Sequence, residues 1–414
     1  MIHNFDESSA AFRKYVSQHK APVIMQVLPA LNSGGVEQGV IDLNKAIVEA
    51  GGQSIVVSSG GKRIHEITRH GGVHIELPVH SKNPFVMSRN VRRIRRLIRD
   101  YNVDIIHACS RAPAWSAQKA VKGTTARYVT SCHAAHKITG KLKRMYNASI
   151  ANGERVIAVS HFLADYLENN YEIDPQNIRV IHRGLPLEKF HPNSVTPDRL
   201  IDIAKKWRVP DGAFVITVPA RLTRIKGHIH VVDALSRLKR NDIFCVFVGS
   251  SQGKDNYRQE LETYIEGKGL GSSIRLVDHC DDMPSAYMIS AVVLCPSIVP
   301  EGFGRIPIEA QAMGRPIIAT DHGGTRETII RDETGWLVRP ESGDELAHAI
   351  AEAMAMDNKQ RAILGTKAMT HVAAHFTVEK MCAATLNVYA ELLNDNPMQA
   401  LPSNDTLVEQ GQVV

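Results

Sequence analysis

The sequence predicts an α/β protein made of two doubly wound domains, each a parallel sheet with helices on both faces. Its 414 residues exceed the about 250–300 at which a single core stops growing. Its composition, 43% apolar and 22% charged, is that of an ordinary globular protein. Short apolar runs alternate with amphipathic stretches along most of the chain, which is the pattern of repeated βαβ units.

The first predicted domain covers residues 21–190 and follows a flexible N-terminal segment, residues 1–20. Its candidate strands are "VIMQVL", "SIVVSS", "VHIEL", "VDIIHA", "RYVTSC", "RVIAVS" and "IRVIH". Between the first two runs, apolar residues recur every three or four positions from Val36 to Ile47, and Gly51 follows. This spacing predicts a helix that ends at the glycine.

A proline-rich stretch, residues 186–212, predicts the linker to a second domain over residues 191–376. The strands of that domain are predicted in "FVITVPA", "IFCVFVGS", "IRLVD", "AVVLCPS", "RPIIAT" and "GWLV". Residues 377–393 predict a C-terminal helix that crosses back to the N-terminal domain. Residues 394–414 form a polar tail that we expect to be disordered.

Composition also restricts where the protein acts. The six cysteines include no C-x-x-C pair, which is typical of thiols in a reduced cytosol. The first 20 residues lack the apolar core of a signal peptide, and no run approaches about 18 apolar residues. We therefore expect a cytoplasmic protein without a membrane span. Of the 49 Lys and Arg, 26 precede residue 191, against 15 of the 43 Asp and Glu, which favours an anionic partner for the first half.

Two carboxylates, Glu301 and Glu309, flank a glycine-rich stretch in "PEGFGRIPIEAQAMGRP". Pro307 suits the first residue of a helix, because its missing N–H would have no partner there. Glu309 would then lie in the first turn, where it can accept hydrogen bonds from a vicinal diol such as a ribose. The amides of residues 302–306 would form an anion cradle at the helix N-terminus. The alternative is that Glu309 caps the helix and Glu301 is a surface acid.

Two cations, Arg221 and Lys226, flank a turn in "PARLTRIKGH", directly after a candidate strand. Paired cations at the carboxyl end of a parallel strand suit a diphosphate. They are most effective when the diphosphate leaves, because negative charge then develops on it. The alternative is an exposed basic loop, which we regard as sufficient for Arg224.

Gly34 and Gly35 open the first helix in "LPALNSGGVEQGV". The pattern is neither G-x-G-x-x-G nor a P-loop, but its amides can bind an anion and leave room for a sugar. A tight strand-to-helix turn is the alternative. His133 in "TSCHAAH" follows another candidate strand at the edge where ligands bind in such sheets. A single histidine there can instead be structural.

We expect no metal and no other cofactor at this site. In "HEITRH" the histidines are spaced H-E-x-x-x-H, so they fall on different helix faces and do not form the H-E-x-x-H zinc motif. The chain also contains no D-x-D triplet, the usual clamp for a metal-bound diphosphate. No feature of the sequence indicates nucleic-acid binding.

An arginine-rich helix is predicted from "MSRNVRRIRRLIRDY". One stripe of it is apolar: Met87, Val91, Ile94, Ile98 and Tyr101. Around the other side lie Arg89, Arg92, Arg93, Arg95, Arg96 and Arg99. Further cations follow in the chain: Lys137, Lys141, Lys143 and Arg144. The Arg89–Arg99 face can dock on anionic lipid at ~1 kcal/mol per basic residue, or it can simply be solvated.

Taken together, these motifs resemble glycosyltransferase family 4, whose members are retaining enzymes of GT-B architecture, with two Rossmann-like domains facing a central cleft. The resemblance runs from about residue 22 to residue 393. Its most specific part is the Glu301 to Glu309 spacing, followed by "AMGRPIIATDHGGTRETI" and "TGWLV". The segments "NSGGVEQGV", "PARLTRIKG" and "IRVIHRGLPLEKFHP" stand where the family has their counterparts.

The resemblance implies a role for each site residue. The implied catalytic residues are His133, Arg221, Lys226 and Glu301. The implied nucleotide-sugar ligands are Gly34, Gly35, Gly302, Phe303, Gly304, Arg305 and Glu309. Glu309 would hold the ribose, and Arg221 with Lys226 would hold the diphosphate. Glu301 would bind the donor sugar, Gly35 would lie against the distal phosphate, and His133 would lie near the reacting carbon. Arg183 departs from the family, in which many members have Asn before the glycine.

The implied reaction transfers a hexose from a nucleoside diphosphate sugar to an acceptor hydroxyl, with retention at the anomeric carbon. The segment "HACSRAPAWSA" is similar to bacterial members that act on lipopolysaccharide cores or other envelope glycolipids. A glycolipid or saccharide acceptor at the inner face of the plasma membrane is therefore expected. The alternatives are a nucleotide-sugar epimerase or phosphorylase of the same architecture, and a non-catalytic nucleotide-binding protein associated with the membrane.

Overall fold

A computed structural model describes residues 9–32, 34–251, 253 and 255–395 of the chain. Contacts divide it into two units. The first unit runs to Ala158, takes in Leu167–Ile181 and resumes at Glu379; the second unit comprises Val159–Tyr166 and His182–Val378. Each unit contains a parallel sheet with helices, which confirms the predicted class.

The first unit has a seven-stranded parallel sheet in the order β3-β2-β1-β4-β5-β6-β7. Its strands are β1 Val23–Val27, β2 Gln53–Ser58, β3 Val73–Glu76, β4 Ile105–Ala108, β5 Arg127–Cys132, β6 Arg155–Ala158 and β7 Ile178–Val180. The first helices of the chain are α1 Ala10–Gln18, α2 Gly35–Glu49, α3 Ile64–Arg69, α4 Pro84–Asp100, α5 Arg111–Val121, α6 Lys141–Asn147 and α7 His161–Tyr171. The strand order reverses between β1 and β4.

The second unit has a six-stranded parallel sheet in the order β10-β9-β8-β11-β12-β13, which reverses between β8 and β11. Its strands are β8 Phe214–Pro219, β9 Ile243–Val248, β10 Ile274–Val277, β11 Val292–Cys295, β12 Ile317–Thr320 and β13 Trp336–Val338. The remaining helices are α8 Pro197–Trp207, α9 His228–Leu238, α10 Asp255–Gly267, α11 Met283–Ile289, α12 Arg305–Ala312, α13 Thr325–Thr328, α14 Gly343–Ala355, α15 Asn358–His375 and α16 Val378–Asn394. Short 3-10 turns occur at Ala148–Ile150, Pro175–Asn177, Pro192–Ser194 and Arg224–Lys226.

Each of the quoted apolar runs contains one strand of the structure, because both faces of each sheet are covered. All six residues of β9 are buried, and so are all five of β1, including Gln26. Gln26 is accommodated because its Nε2 donates to the carbonyl of Val40 on α2. Continuous burial of this kind is typical of strands in parallel sheets between helices.

Part of the predicted flexible N-terminal segment is a packed helix. In α1, Phe12 and Tyr15 are buried, and a Cβ placed on Gly52 would lie 3.2 Å from the Phe12 ring. The expectation of flexibility over residues 1–20 is therefore wrong for α1, because its apolar face is covered by the first unit. Residues 1–8 lie outside the described part of the chain.

The predicted linker also contains a helix, α8. The prolines that suggested a linker include Pro197, which is instead the first residue of α8. Trp207 at the other end is fully buried, and Arg199 donates two hydrogen bonds to Asp282, at 2.8 and 2.5 Å. The chain enters the second unit at His182, before the predicted boundary at residue 191.

Polar contacts hold the C-terminal helix α16 against the sheet of the first unit. Tyr389 and Ser131 hydrogen-bond the two ring nitrogens of His107, at 2.7 and 2.6 Å. Burial lowers the pKa of His107 to about 3, so the ring is neutral and bridges two hydroxyl groups. Arg155 and Arg179 both donate to Glu391. The predicted tail from residue 394 lies outside the described residues, apart from its first two.

All six cysteines are buried as free thiols, as the absence of a C-x-x-C pair suggested. Within the described ranges, none of the helices combines the length and the apolar character that crossing a bilayer requires.

Candidate active site

The residues predicted to form the site lie in loops that follow central strands of the two sheets. In the second unit, Lys226 follows β8 and Glu301 follows β11, its neighbour in the sheet. In the first unit, Gly34 and Gly35 follow β1, and His133 follows β5. In open parallel sheets, ligands bind at the carboxyl ends of strands where the strand order reverses. The candidate residues thus form two groups, one at the reversal in each unit.

In the second unit, Lys226 and Glu301 form a half-buried ion pair. Lys226 Nζ lies 2.5 Å from Glu301 Oε1 and 3.5 Å from Ser297 Oγ, which also donates to that carboxylate. The two charged side chains are 16% and 19% exposed. Burial acts to raise the pKa of Glu301, but Lys226 and Ser297 outweigh it, so the pKa is lowered. The Glu301 carboxylate is therefore ionised at neutral pH.

The turn that carries Lys226 is held tightly against the loop after β11. Gly227 has a φ of 72°, and a Cβ there would overlap the carbonyl oxygen of Pro296. The Ile298 amide donates to the Ile225 carbonyl at 2.9 Å. A glycine is required at position 227 both for its backbone conformation and for this close approach. The backbone thus fixes Lys226 beside Ser297 and Glu301.

The loop from Glu301 to Gly304 is held by its backbone. The Gly324 amide donates to the Glu301 carbonyl at 2.9 Å, and Ser160 Oγ donates to the Gly302 carbonyl at 2.5 Å. Gly304, with a φ of 90°, precedes α12, which begins at Arg305. The prediction that Pro307 starts the helix was wrong by two residues. Glu309 therefore lies in the second turn, so it is not the helix cap.

Phe303 contributes to the core of the second unit. Its side chain is 3% exposed, with its ring centroid 5.6 Å from that of His182 and 5.7 Å from that of Phe376. A donor could meet only the backbone of Phe303, because the ring is enclosed. Arg183, where the sequence departs from the family, is also buried.

Glu309 is positioned by two neighbours. The Tyr287 hydroxyl donates to Glu309 Oε2 at 2.7 Å, and Arg305 Nη2 lies 3.0 Å from Oε1. Burial, followed by the charge of Glu309, raises the pKa of Tyr287 well above its usual value. The phenol therefore remains a donor at any ordinary pH. Tyr287 could not be identified from the sequence, because a buried tyrosine on a separate helix has no local motif.

The other two arginines near this site are on the surface. Arg224 pairs with Glu260 on α10, and its side chain is 68% exposed. This matches the plain reading of Arg224 as part of an exposed basic loop. Arg221 is also exposed, one residue beyond the loop start at Ala220. Its predicted role in diphosphate binding stays a prediction.

In the first unit, a cavity of about 370 Å³ lies at the strand reversal. Glu37, Arg111, His133 and His136 contribute polar groups to its lining. Gly34 precedes α2, and a Cβ there would overlap the Glu37 carboxylate. His133 and the start of α2 are therefore brought to one cavity, as expected from the ends of β1 and β5.

Arg111 and His136 are site residues that the sequence analysis did not identify. Arg111 is the first residue of α5, and its Nη1 donates to Asn147 Oδ1 at 2.8 Å. Burial, then Arg111 and Lys143, lower the pKa of His136 to about 4, so this ring is neutral near pH 7. Arg111 follows β4 as His133 follows β5. His133 was selected because it directly follows a candidate strand. The same criterion, applied after β4, would have selected Arg111.

A third polar group lies within the second unit, at the start of α7. The ligand-type atoms of His161, His182 and Glu327 lie within 4.8 Å of one another, a separation that a metal ion could bridge. Glu327 accepts from the amides of His161 and Phe162 at 2.8 and 2.9 Å, and from His182 Nε2 at 2.9 Å. These bonds make Glu327 the N-terminal cap of α7.

Known families match most of the chain. The family described as "Glycosyltransferase Family 4" matches residues 33–189, and that described as "Glycosyl transferases group 1" matches residues 201–370. The fold and these matches define a glycosyltransferase of the GT-B class. A solved structure supports the same conclusion over nearly the full length. The glycosyltransferase from Rickettsia africae ESF-5 is 37% identical, with a TM-score of 0.84, covering 91% of this chain and 100% of that one. The chain therefore belongs to glycosyltransferase family 4.

Two further relatives are more distant. The lipopolysaccharide core biosynthesis mannosyltransferase LpcC of Rhizobium leguminosarum bv. viciae is 29% identical over 59% of this chain and 66% of its own. Anabaena Alr3699/HepE, solved in complex with UDP-glucose, has 21% identity and a TM-score of 0.76, covering 90% of this chain and 99% of that one. The latter likeness concerns the fold alone. The chain spans between half and two thirds of the length of several curated relatives.

Proposed function

We propose that this protein moves a hexose from a nucleoside diphosphate sugar to an acceptor hydroxyl, with retention at the anomeric carbon. The observation that carries the proposal is the Lys226–Glu301 pair at the strand reversal of the second unit. An ammonium group has three N–H donors. Among the described residues, Glu301 and Ser297 take two of them. The third can donate to a diphosphate oxygen while the pair stays intact.

The same loops suit the rest of the donor. Glu301 presents a fixed carboxylate to sugar hydroxyls, and the amides that lead into α12 add partial positive charge. Glu309, oriented by Tyr287, is available to a ribose diol. Exposed Arg221 supplies the second cation for the diphosphate. Preorganised donors of this kind stabilise the charge that develops on a leaving group, by about 3–4 kcal/mol for each.

Retention without a protein nucleophile follows from the family's chemistry. The acceptor attacks from the side of the leaving group, so the β-phosphate can take the acceptor's proton. Fixed cations then replace the divalent metal that other transferases use to neutralise the diphosphate. We accordingly propose that the reaction needs no metal and no other cofactor. Transfer that is undiminished in excess EDTA is the expected result.

We propose a glycolipid or saccharide acceptor at the inner face of the plasma membrane, and no nucleic-acid partner. LpcC, a relative that acts in lipopolysaccharide core biosynthesis, supports this class of acceptor. Helix α4 supports the membrane contact: Met87, Ile94 and Ile98 face the core, while Phe85 at its start is 86% exposed.

Not every arginine of α4 is available to lipid. Arg95 donates to the carbonyls of Lys119 and Ala120 at the end of α5, and Arg96 pairs with Asp100. The exposed arginines that remain for anionic head groups are Arg89, Arg92, Arg93 and Arg99. The basic face is therefore narrower than the sequence suggested.

The test uses the full chain and a panel of nucleoside diphosphates, followed by their hexose derivatives. Thermal-shift measurements with UDP, GDP and ADP in EDTA identify the base, and the matching sugars identify the donor. Proton NMR of the transfer product then reports the anomeric configuration. An inverted product would contradict the proposed mechanism.

Incubating the donor alone separates the alternatives. An isomerised donor would establish an epimerase, and slow hydrolysis is the result expected for a transferase. Failure of every nucleoside diphosphate to raise the melting temperature would contradict a nucleotide-sugar enzyme altogether.

A further inference from the structure

We propose that the cavity of the first unit binds an oxyanion carried by the acceptor, and that Arg111 is the residue that recognises it. The inference rests on the proposed transfer, because it assigns the acceptor a chemical class: a phosphate or carboxylate group close to the hydroxyl that reacts. It is otherwise independent of the diphosphate and ribose contacts proposed for Lys226 and Glu309 in the second unit, and it leaves His133, on the same cavity, as the residue expected near the reacting carbon.

The charge of Arg111 is the first observation. Its guanidinium is half-buried, and its hydrogen-bond partner is the neutral side chain of Asn147. Over the described ranges, Arg111 forms no ion pair with a carboxylate. Removing a cation from water without a counter-charge is costly. Arg111 is also the only residue named here that brings a permanent positive charge to the lining of this cavity. A bound oxyanion would supply the missing partner.

The surroundings of Arg111 reinforce its charge. Lys143 and Arg111 both act on His136, whose pKa lies at about 4, first through burial and then through these cations. Two cations are thus within electrostatic range of one wall of the cavity. Arg111 also begins α5, where the amide dipoles favour negative charge. The two cations and the helix dipole all make the electrostatic potential at this wall of the cavity more positive.

The cavity also contains an acid, but at its other side. Glu37 lies over Gly34 at the start of α2, close enough that a Cβ on the glycine would overlap the carboxylate. A ligand with an oxyanion at Arg111 and hydroxyl groups towards Glu37 would match both ends. At about 370 Å³, the cavity has room for a phosphorylated or acidic sugar residue.

A purely structural Arg111 is the competing explanation. In that case the guanidinium would only tie α5 to Asn147 and cover the Tyr146 ring, whose centroid lies 5.7 Å away. This role predicts a lower melting temperature on substitution but no change in anion binding at fixed temperature. The two explanations therefore differ in a measurable quantity.

The experiment titrates the full chain with inorganic phosphate in the presence of saturating UDP, which fills the donor site. Sodium acetate and sodium chloride at matched ionic strength distinguish phosphate from carboxylate recognition and from ionic-strength effects. We expect phosphate or acetate to bind in preference to chloride. Arg111→Gln should weaken that binding about tenfold or more, as for loss of a charge-assisted hydrogen bond.

Three variants make the result specific. Lys122→Gln removes the same charge from an exposed side chain just after the other end of α5, and should leave binding unchanged. Arg111→Lys keeps the charge but loses the planar fork, and should bind with intermediate affinity. Lys226→Ala should abolish UDP binding and spare anion binding in the first unit.

A second arm links the anion to the acceptor. Glucose 6-phosphate should bind the UDP-loaded chain at least about tenfold more tightly than glucose, and Arg111→Gln should remove the difference. Equal binding by wild type and Arg111→Gln would overturn the proposal, as would anion binding that disappears in Lys226→Ala. Loss of UDP binding by the wild type would instead overturn the donor site, so the two failures are distinguishable.

Discussion

The two halves of the candidate site differ in how their charges are balanced. In the second unit, Lys226 is paired with Glu301 between two loops, and Arg305 is paired with Glu309 on α12. In the first unit, Arg111 has a neutral partner, beside a histidine that is itself neutral near pH 7. The side that we propose for the donor has paired charges without a ligand, whereas the side that we propose for the acceptor does not.

This difference fits what each side has to recognise. A nucleoside diphosphate is chemically constant across this family of donors, so its site can be assembled in advance by ion pairs and glycine turns. Preorganisation of this kind lowers the cost of binding. An acceptor varies between enzymes, and its own charge can complete the site. The comparison predicts that substitutions at the ion pairs of the second unit affect catalysis broadly, while substitution of Arg111 in the first unit affects the choice of acceptor.

The largest effect is expected from Lys226→Ala. Removing the cation that meets the diphosphate should lower kcat/KM by about 100–1,000-fold, measured by transfer or by donor hydrolysis. Arg224→Ala on the same turn is the matched control, because Arg224 pairs with Glu260 at the surface. Its kcat/KM should stay within about twofold. Undiminished catalysis by Lys226→Ala would remove the leaving-group site from the second unit.

Glu301→Gln tests whether the donor side is complete before ligand binds. The variant leaves Lys226 without its carboxylate, so the free energy of unfolding at pH 7 should fall by about 1–3 kcal/mol. The folded pKa of Glu301 is lowered, so its contribution is present above the unfolded value of 4.5 and is lost as the pH falls through the folded value. The difference from wild type should therefore shrink below pH 4.5. A difference that is constant with pH would contradict the ion pair.

Tyr287→Phe tests whether Glu309, the carboxylate that we propose for the ribose, depends on its hydrogen bond from Tyr287. Without the hydroxyl, Glu309 loses one fixed donor, and we expect UDP to bind about threefold to tenfold more weakly, with kcat little changed. Tyr264→Phe is a matched control, because Tyr264 makes the same kind of bond to Asp233, at 2.6 Å. If both variants bind UDP equally well, Tyr287 does not position Glu309 for the nucleotide.

The last prediction concerns membrane binding and not catalysis, and it tests the exposed basic face of α4 in the first unit. Replacing Arg92 and Arg93 with Gln should weaken binding to vesicles of anionic phospholipid by about 2 kcal/mol in all, with no effect on zwitterionic vesicles. The matched pair in the second unit is Lys205 and Lys206, which are also adjacent and exposed on a helix. Equal losses for the two pairs, measured by vesicle sedimentation, would mean that net charge and not α4 determines binding.

The sheet strands were predictable because each lies in a short apolar run, and the central strands are buried on both faces, as β1 and β9 are. The errors arose where one residue type serves two purposes. Pro197 suggested a linker but begins α8, and Pro307 suggested a helix start but stands two residues inside α12. Proline is compatible with both a loop and a first helical turn. Local sequence therefore cannot distinguish a loop from a helix start at these prolines. The tertiary structure around Trp207 and Gly304 decides it.

The candidate site was predictable to the extent that it is local. Glu301 and Glu309 belong to one loop and helix, and their spacing is visible in the chain. Tyr287 comes from a different helix, and the contact of Lys226 with Glu301 joins segments 75 residues apart. Such contacts depend on which strands are neighbours in the sheet. That β8 and β11 are neighbours is a property of the whole sheet and cannot be inferred from either segment alone.

The placement of α16 has a consequence for how the chain is synthesised. His107 belongs to the first third of the chain, yet one of its two hydroxyl partners is Tyr389 on the last helix. A ribosome releases Tyr389 only after the whole second unit has been translated. One face of the first sheet therefore stays incompletely covered until translation is almost complete. A premature stop between residue 190 and the start of α16 at Val378 would leave that face open, and such fragments are expected to aggregate or to be degraded.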